Sequence, residues 1–222
     1  MNVPAPEKWS ESHFAHRLDV SGSVFALTFD DGPLPESTPV LLDALAQTGM
    51  RATFCVEGRY VAKHPELLRR IVAGGHEVAN HSYTHPDFMS LTLAQAQSEI
   101  TRTDDAIRAV LGHTTPYFRP PFGALSKEQG TWATQNGYQV LMWSADSRDW
   151  MKPAPGEVTK RILTEAQSGA TVLAHESFPQ SVREMPALLE QLKARGLRSV
   201  TVSELRAQER QSDNHPSVQE ST

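Results

Sequence analysis

Cys55 is the only thiol in the chain, which excludes an intrachain disulfide and leaves the redox compartment open. It alternates with strand-type residues in RATFCV and has no basic residue beside it, so it reads as a buried thiol and not a nucleophile. No apolar run is long enough to cross a membrane. Basic charge is not in excess either. The 21 Lys and Arg stand against 26 Asp and Glu, a net of −5, which gives no broad positive field for nucleic acid. No glycine-rich loop follows the first apolar run, which weighs against a nucleotide-binding sheet. The opening residues, MNVPAPEKWSESHFAHRLDV, lack a basic start followed by an apolar stretch and do not read as a leader. A cytoplasmic protein and a secreted one whose leader has been removed both fit.

What is present is a regular alternation. The 222 residues, 39% of them hydrophobic, suffice to bury one sizeable core. Strand-type runs (VFALTF, RATFCV, HEVAN, YFR, YQVLMW, ATVLA and LRSVTV) alternate with six amphipathic helical stretches. Most of these helices end in glycine, and Pro39 and Pro65 fall near helix starts, where a missing N–H does no harm. The alternation predicts an α/β protein with a parallel sheet and right-handed crossovers, either a short barrel or an open sheet. Residues 1–19 read as an N-terminal extension, 20–206 as the domain, and the polar stretch 207–222 as a disordered tail.

Ionisable residues sit where strands end. Asp30 and Asp31 follow VFALTF, His81 follows HEVAN, and Arg119 ends YFR. Asp146 and Asp149 follow YQVLMW, and His175 follows ATVLA. The carboxyl ends of parallel strands are where such folds gather their active sites. In HSYTH, His81 and His85 are four apart, so one helical turn would bring both imidazoles to one face. A carboxylate such as Asp31 would complete two histidines and one acid around a metal with open positions. Adjacent strand residues point different ways, so one aspartate can turn to the metal and the other to the substrate. A cation there would offset the repulsion between neighbouring carboxylates.

TFDDG, HSYTH, RPPF, DSRDW and VLAH, in that order from Phe25 to about Glu176, resemble the five motifs of the polysaccharide deacetylases, the NodB-homology carbohydrate esterases. The resemblance implies a distorted (β/α) barrel of about seven parallel strands. It implies that Asp31, His81 and His85 hold one divalent transition metal, most often zinc, with cobalt or nickel also accepted. Asp30 would be the general base and Arg119 its ion-pair partner. The Phe122 N–H would stabilise the oxyanion, with Pro121 beside it toward the substrate. His175 would be the general acid, paired with Asp149, while Asp146 is a secondary contributor. Trp150 would wall the sugar groove and Leu173 line the pocket for the acetyl methyl.

Two positions depart from the family's usual pattern: Phe122 stands where Tyr is common, and Glu176 where Asp is commoner. Trp132 and Trp143 read as core residues. The implied activity is removal of acetyl groups from N-acetylglucosamine in a peptidoglycan- or chitin-type glycan, by a monomer with no nucleic-acid partner. An O-acetyl xylan esterase, a small-amide hydrolase and a catalytically silent carbohydrate-binding protein are the alternatives.

Overall fold

The first strand sets the frame. In the computed structural model, which describes residues 7–10 and 16–213, β1 (Val24–Gly32) is buried along nearly its whole length. A central parallel strand is covered on both faces and so can be apolar throughout. Its two faces nonetheless differ. Phe25, Leu27 and Phe29 pack outward into the main core with helix residues such as Leu41, Leu45, Leu188 and Leu189. Val24 and Ala26 face the interior with Cys55, Ala79 and Leu141. Thr28 and Asp30 continue that inner face, as the period of two requires.

The strands β2 (Thr53–Val56), β3 (Glu77–Asn80), β4 (Tyr117–Phe118) and β5 (Gln139–Val140) extend from β1 on one side. On the other side lie β7 (Thr171–His175) and β6 (Ala145–Asp146). All these pairs are parallel, and β8 (Arg198–Val200) pairs with the first residues of β1. The seven-strand path curls into the expected distorted barrel. Among the described residues its two edges, β5 and β6, do not pair; only Leu141–Ser144 joins them. YQVLMW is therefore not one strand: β5 ends at Val140, Leu141 keeps a single bridge, and Met142 and Trp143 belong to this seam.

Arg119, directly after β4, lies across the seam with none of its side chain exposed. Its Nε and Nη2 donate to the carbonyl oxygens of Leu141 and Met142 at 3.2 and 3.1 Å. Its Nη1 donates to Thr28 Oγ1 and Asp30 Oδ1, both at 2.7 Å. The small inner side chains of Ala26, Cys55 and Ala79 leave room for it. One side chain thus supplies donors to carbonyls that no neighbouring strand reaches.

The six helices read from the sequence are α1 (Thr38–Thr48), α3 (Pro65–Ala73), α4 (Leu93–Leu111), α5 (Lys127–Gln135), α6 (Glu157–Glu165) and α7 (Pro179–Ala194). Gly49 and Gly112 close α1 and α4 in the left-handed conformation. Two further helices are present. The six residues of α2 (Gly58–Lys63) are too few to show a helical period. The last helix, α8 (Val202–Asp213), corrects the reading of 207–222 as a tail, since it runs on through residue 213. Thr201 Oγ1 accepts from Glu204 N while the Glu204 carboxylate accepts from Thr201 N. That capping box was there to be read in TVSE. Residues 214–222 and most of 1–15 lie outside the described residues; within the extension, Lys8 forms a bridge to Ser126.

Arg119→Met should lower unfolding stability by about 3–5 kcal/mol in urea titrations, because it leaves the Asp30 carboxylate buried and unpaired. Adding Asp30→Asn in the same chain should recover part of that loss, since no orphaned charge then remains.

Candidate active site

Asp31 owes its position to an irregularity in β1. In the β1–β2 register, Asp30 faces Cys55 and Gly32 faces Val56, so Asp31 is the extra residue of a bulge, with φ 73°. A bulge re-aims the side chain that regular alternation would send outward. Gly32 follows where no side chain fits, because a Cβ there would stand 1.7 Å from Glu176 Oε1. His81 and His85 are not on a helix, contrary to the sequence expectation. They sit in a loop after β3 that turns through positive φ at Ser82 and His85.

The loop is held from several sides. Asn80 Oδ1 accepts from Ser82 N, Glu99 accepts from Tyr83 N and Thr84 N, and Ser82 Oγ accepts from His85 N. Asp31, His85 and Phe122 all line the cleft with positive φ, a conformation that costs non-glycine residues roughly 1–3 kcal/mol each.

These elements bring Asp31, His81 and His85 together, with ligand atoms all within 4.8 Å of one another. Asp31 Oδ1 is 3.6 Å from both His81 Nε2 and His85 Nε2. Donors on a tetrahedral ion with bonds near 2.0–2.1 Å lie roughly 3.3 Å apart, close to this spacing. Ser177 Oγ donates to Asp31 Oδ2, while Oδ1 is buried with no hydrogen-bond donor among the described residues. His81 Nδ1 lies 2.8 Å from the Arg119 carbonyl oxygen, which can only accept. Nδ1 therefore carries a hydrogen, which leaves Nε2 as the ring atom that faces the gap. The residues fit a divalent cation.

Asp30 lies beside the triad, with Oδ2 3.5 Å from His81 Nε2 and Oδ1 on Arg119. Burial disfavours its charge, but Arg119, His81 and His175 outweigh this and hold the carboxyl below its ordinary range. Asp31 is also held low: the histidines and Ser177 outweigh its burial. His175 is the register partner of Asp30 across β1 and β7. The Asp149 carboxylate accepts from its backbone N at 2.9 Å and pairs with its Nδ1 at 2.6 Å, leaving Nε2 for the cleft. Burial lowers the His175 pKa, yet Asp149, Asp30 and Asp31 together raise it to about 9.

The cleft holds about 400 Å³. Leu173, Asp146, Trp150 and Phe122 line it, and the Phe122 ring stands edge-on to His85 at 4.7 Å. Pro121 is a correction: it is buried, and Pro120 faces the cleft instead. Trp143 is another, for the seam turns it from the core into the cleft wall, whereas Trp132 packs on an inner cluster as expected. Phe178, edge-on to His175 at 5.3 Å, also lines the cleft and carried no signal in the sequence.

A curled parallel barrel with a two-histidine, one-carboxylate donor set beside a buried aspartate–arginine ion pair defines the class as a candidate metallohydrolase. The chain belongs to the polysaccharide deacetylase family, whose model matches residues 17–141. It is 40% identical over 195 residues to a chitooligosaccharide deacetylase of Bradyrhizobium sp. (strain ANU 289), covering 80% of this chain and 89% of that one. A peptidoglycan-N-acetylglucosamine deacetylase of Bacillus cereus is 32% identical over 202 residues, covering 89% and 74%. The solved structure of the peptidoglycan deacetylase PdaC from Bacillus subtilis superposes with a TM-score of 0.83 at 34% identity, covering 88% of this chain and 96% of that one.

Equilibrium dialysis against zinc should give one ion per chain. His81→Ala should weaken that binding about a hundredfold or more, and Ser177→Ala about tenfold, as loss of a partner that orients a ligand does.

Proposed function

We propose that this chain is a metal-dependent deacetylase that removes acetyl groups from N-acetylglucosamine residues of a peptidoglycan- or chitin-type glycan. The observation that carries the reading is the pairing of opposites: Asp30, held ionised, beside His175, held protonated, next to a donor set for a cation. The family and the relatives' names support the acetylated glycan as substrate.

A divalent cation on Asp31, His81 and His85, with zinc, cobalt and nickel all suited to this set, supplies a water of lowered pKa and a Lewis acid for the acetyl carbonyl. The chain's own groups do the rest. Arg119 occupies Asp30 Oδ1, so Oδ2 is the atom that takes the proton of the attacking water. The Phe122 N–H serves as an oxyanion donor, a contribution typically worth about 3 kcal/mol. An amine leaves badly unless protonated, and His175, charged at neutral pH, gives up its Nε2 proton to it. Leu173 borders the acetyl methyl, and Trp143 and Trp150 wall the sugar. The tight His175–Asp149 pair favours an amide over an O-acetyl ester, whose alcohol needs less help to leave.

Asp30→Asn should keep the metal and lose about 10²–10⁴-fold in kcat, measured as acetate release from chitin oligomers. In pH profiles of kcat/KM, activity should fall on the alkaline side as His175 loses its proton. Asp149→Asn removes the group that raises this pKa, so that limb should move to lower pH. Acetate release from chitin oligomers, peptidoglycan and acetylated xylan, before and after chelation and zinc re-addition, tests the substrate class. Unchanged turnover after chelation would overturn the metal's role.

A further inference from the structure

A second cleft of about 240 Å³ adjoins the first, and the two share Asp31 and His85. Its outer wall is built by the start of α2. Glu57 is 2% exposed, and its Oε2 accepts from Arg59 Nε at 2.6 Å. The guanidinium lies 4.6 Å from the centroid of the Tyr60 ring, and Lys63 Nζ lies 6.0 Å from the same ring. The backbone of this turn is fixed too, since Gly58 N and Arg59 N donate to the Ser82 and Tyr83 carbonyls of the metal-ligand loop.

A carboxylate buried to this degree is costly unless its charge is matched, and here it grips one nitrogen of a half-exposed arginine. The arginine is thereby held on its Nε edge and one face. Its Nη1 and Nη2 make no hydrogen bond or ion pair with any described residue. A guanidinium immobilised with both terminal nitrogens free matches the geometry of bidentate carboxylate recognition.

We propose that this second cleft is a subsite for a carboxylate carried by the sugar adjoining the one that is deacetylated, with Arg59 as its donor. Asp31 belongs to the metal triad and Glu57 is occupied by Arg59 Nε, so the cleft presents cationic N–H groups to its ligand, with Lys63 adding to the field. A chain of N-acetylglucosamine alone has no such group. A glycan alternating N-acetylglucosamine with its lactyl-ether acid, N-acetylmuramic acid, places one on the neighbouring ring. The inference rests on the deacetylase reading and, within it, selects the peptidoglycan-type backbone over chitin.

The test uses two peptide-free tetrasaccharides, one of N-acetylglucosamine only and one alternating with N-acetylmuramic acid. For acetate release, the ratio of kcat/KM on the acidic glycan to that on the neutral one should fall at least tenfold in Arg59→Gln, chiefly through KM. Arg59→Lys, which keeps the charge and loses the fork, should fall between, and Glu57→Gln should lower the ratio by loosening the arginine. A ratio unchanged in Arg59→Gln, or an equal loss on both glycans, overturns the subsite.

Calorimetric binding of both glycans to zinc-loaded Asp30→Asn, with and without Arg59→Gln, separates the two readings. An Arg59-dependent preference for the acidic glycan that weakens with added salt, with no acetate released by the parent enzyme, keeps the subsite and sinks the deacetylase reading. Acetate release without that preference does the reverse. Binding of neither glycan overturns the subsite as well.

Discussion

The ion pair between Arg119 and Asp30 is the interaction on which the rest depends. A guanidinium inside a barrel is expensive to desolvate, and here every neighbour answers it: a carboxylate, a threonine hydroxyl and two backbone carbonyls. The same residue uses its own carbonyl to fix the ring of His81. Barrel closure, the charge of Asp30 and the tautomer of a candidate metal ligand therefore share one residue.

The mouth of the barrel shows how partners, and not burial alone, decide ionisation. Asp30 and Glu176 are both almost fully buried carboxyls near the end of β1. Asp30, with Arg119 against it, is held below its usual range. Burial pushes Glu176, whose carboxyl is met by the Thr38 hydroxyl and by the Leu34 amide, up to about 8. Asp30 and His175 are register partners on adjacent strands and yet are driven toward opposite protonation, because one faces a cation and the other an anion. Protonation is thus set by neighbours a few ångströms away.

Much of this was legible in the sequence. All seven strand runs mark real strands, and the motif residues follow those runs, while β6 (Ala145–Asp146), two residues long, lies in none of them. The donors Asp31, His81 and His85 could be picked by residue type and position. Their geometry could not. A one-residue bulge aims Asp31, and two left-handed turns, not a helix, present His85. Both depend on contacts from distant residues such as Glu99, Asn80 and Ser177. Trp143 misled for a related reason: its run looks like one strand, and only the end of pairing after Leu141 turns it into the cleft wall. The helix α8 was missed because only Val202 and Leu205 are buried apolar anchors in it, too few to show a stripe.

The break in strand pairing at Met142 and Trp143 has an evolutionary corollary. Elsewhere around the wall, an inserted residue would shift a ladder of strand pairs and flip side chains from one face to the other. At these two residues there is no ladder to shift, so the span is governed by chain length and by the reach of a single arginine. Insertions or deletions here would change the aperture, and hence the girth of ligand admitted, while leaving each neighbouring strand in register. Diversity in substrate size among such barrels has a natural place to accumulate at this point, much as loops elsewhere absorb change.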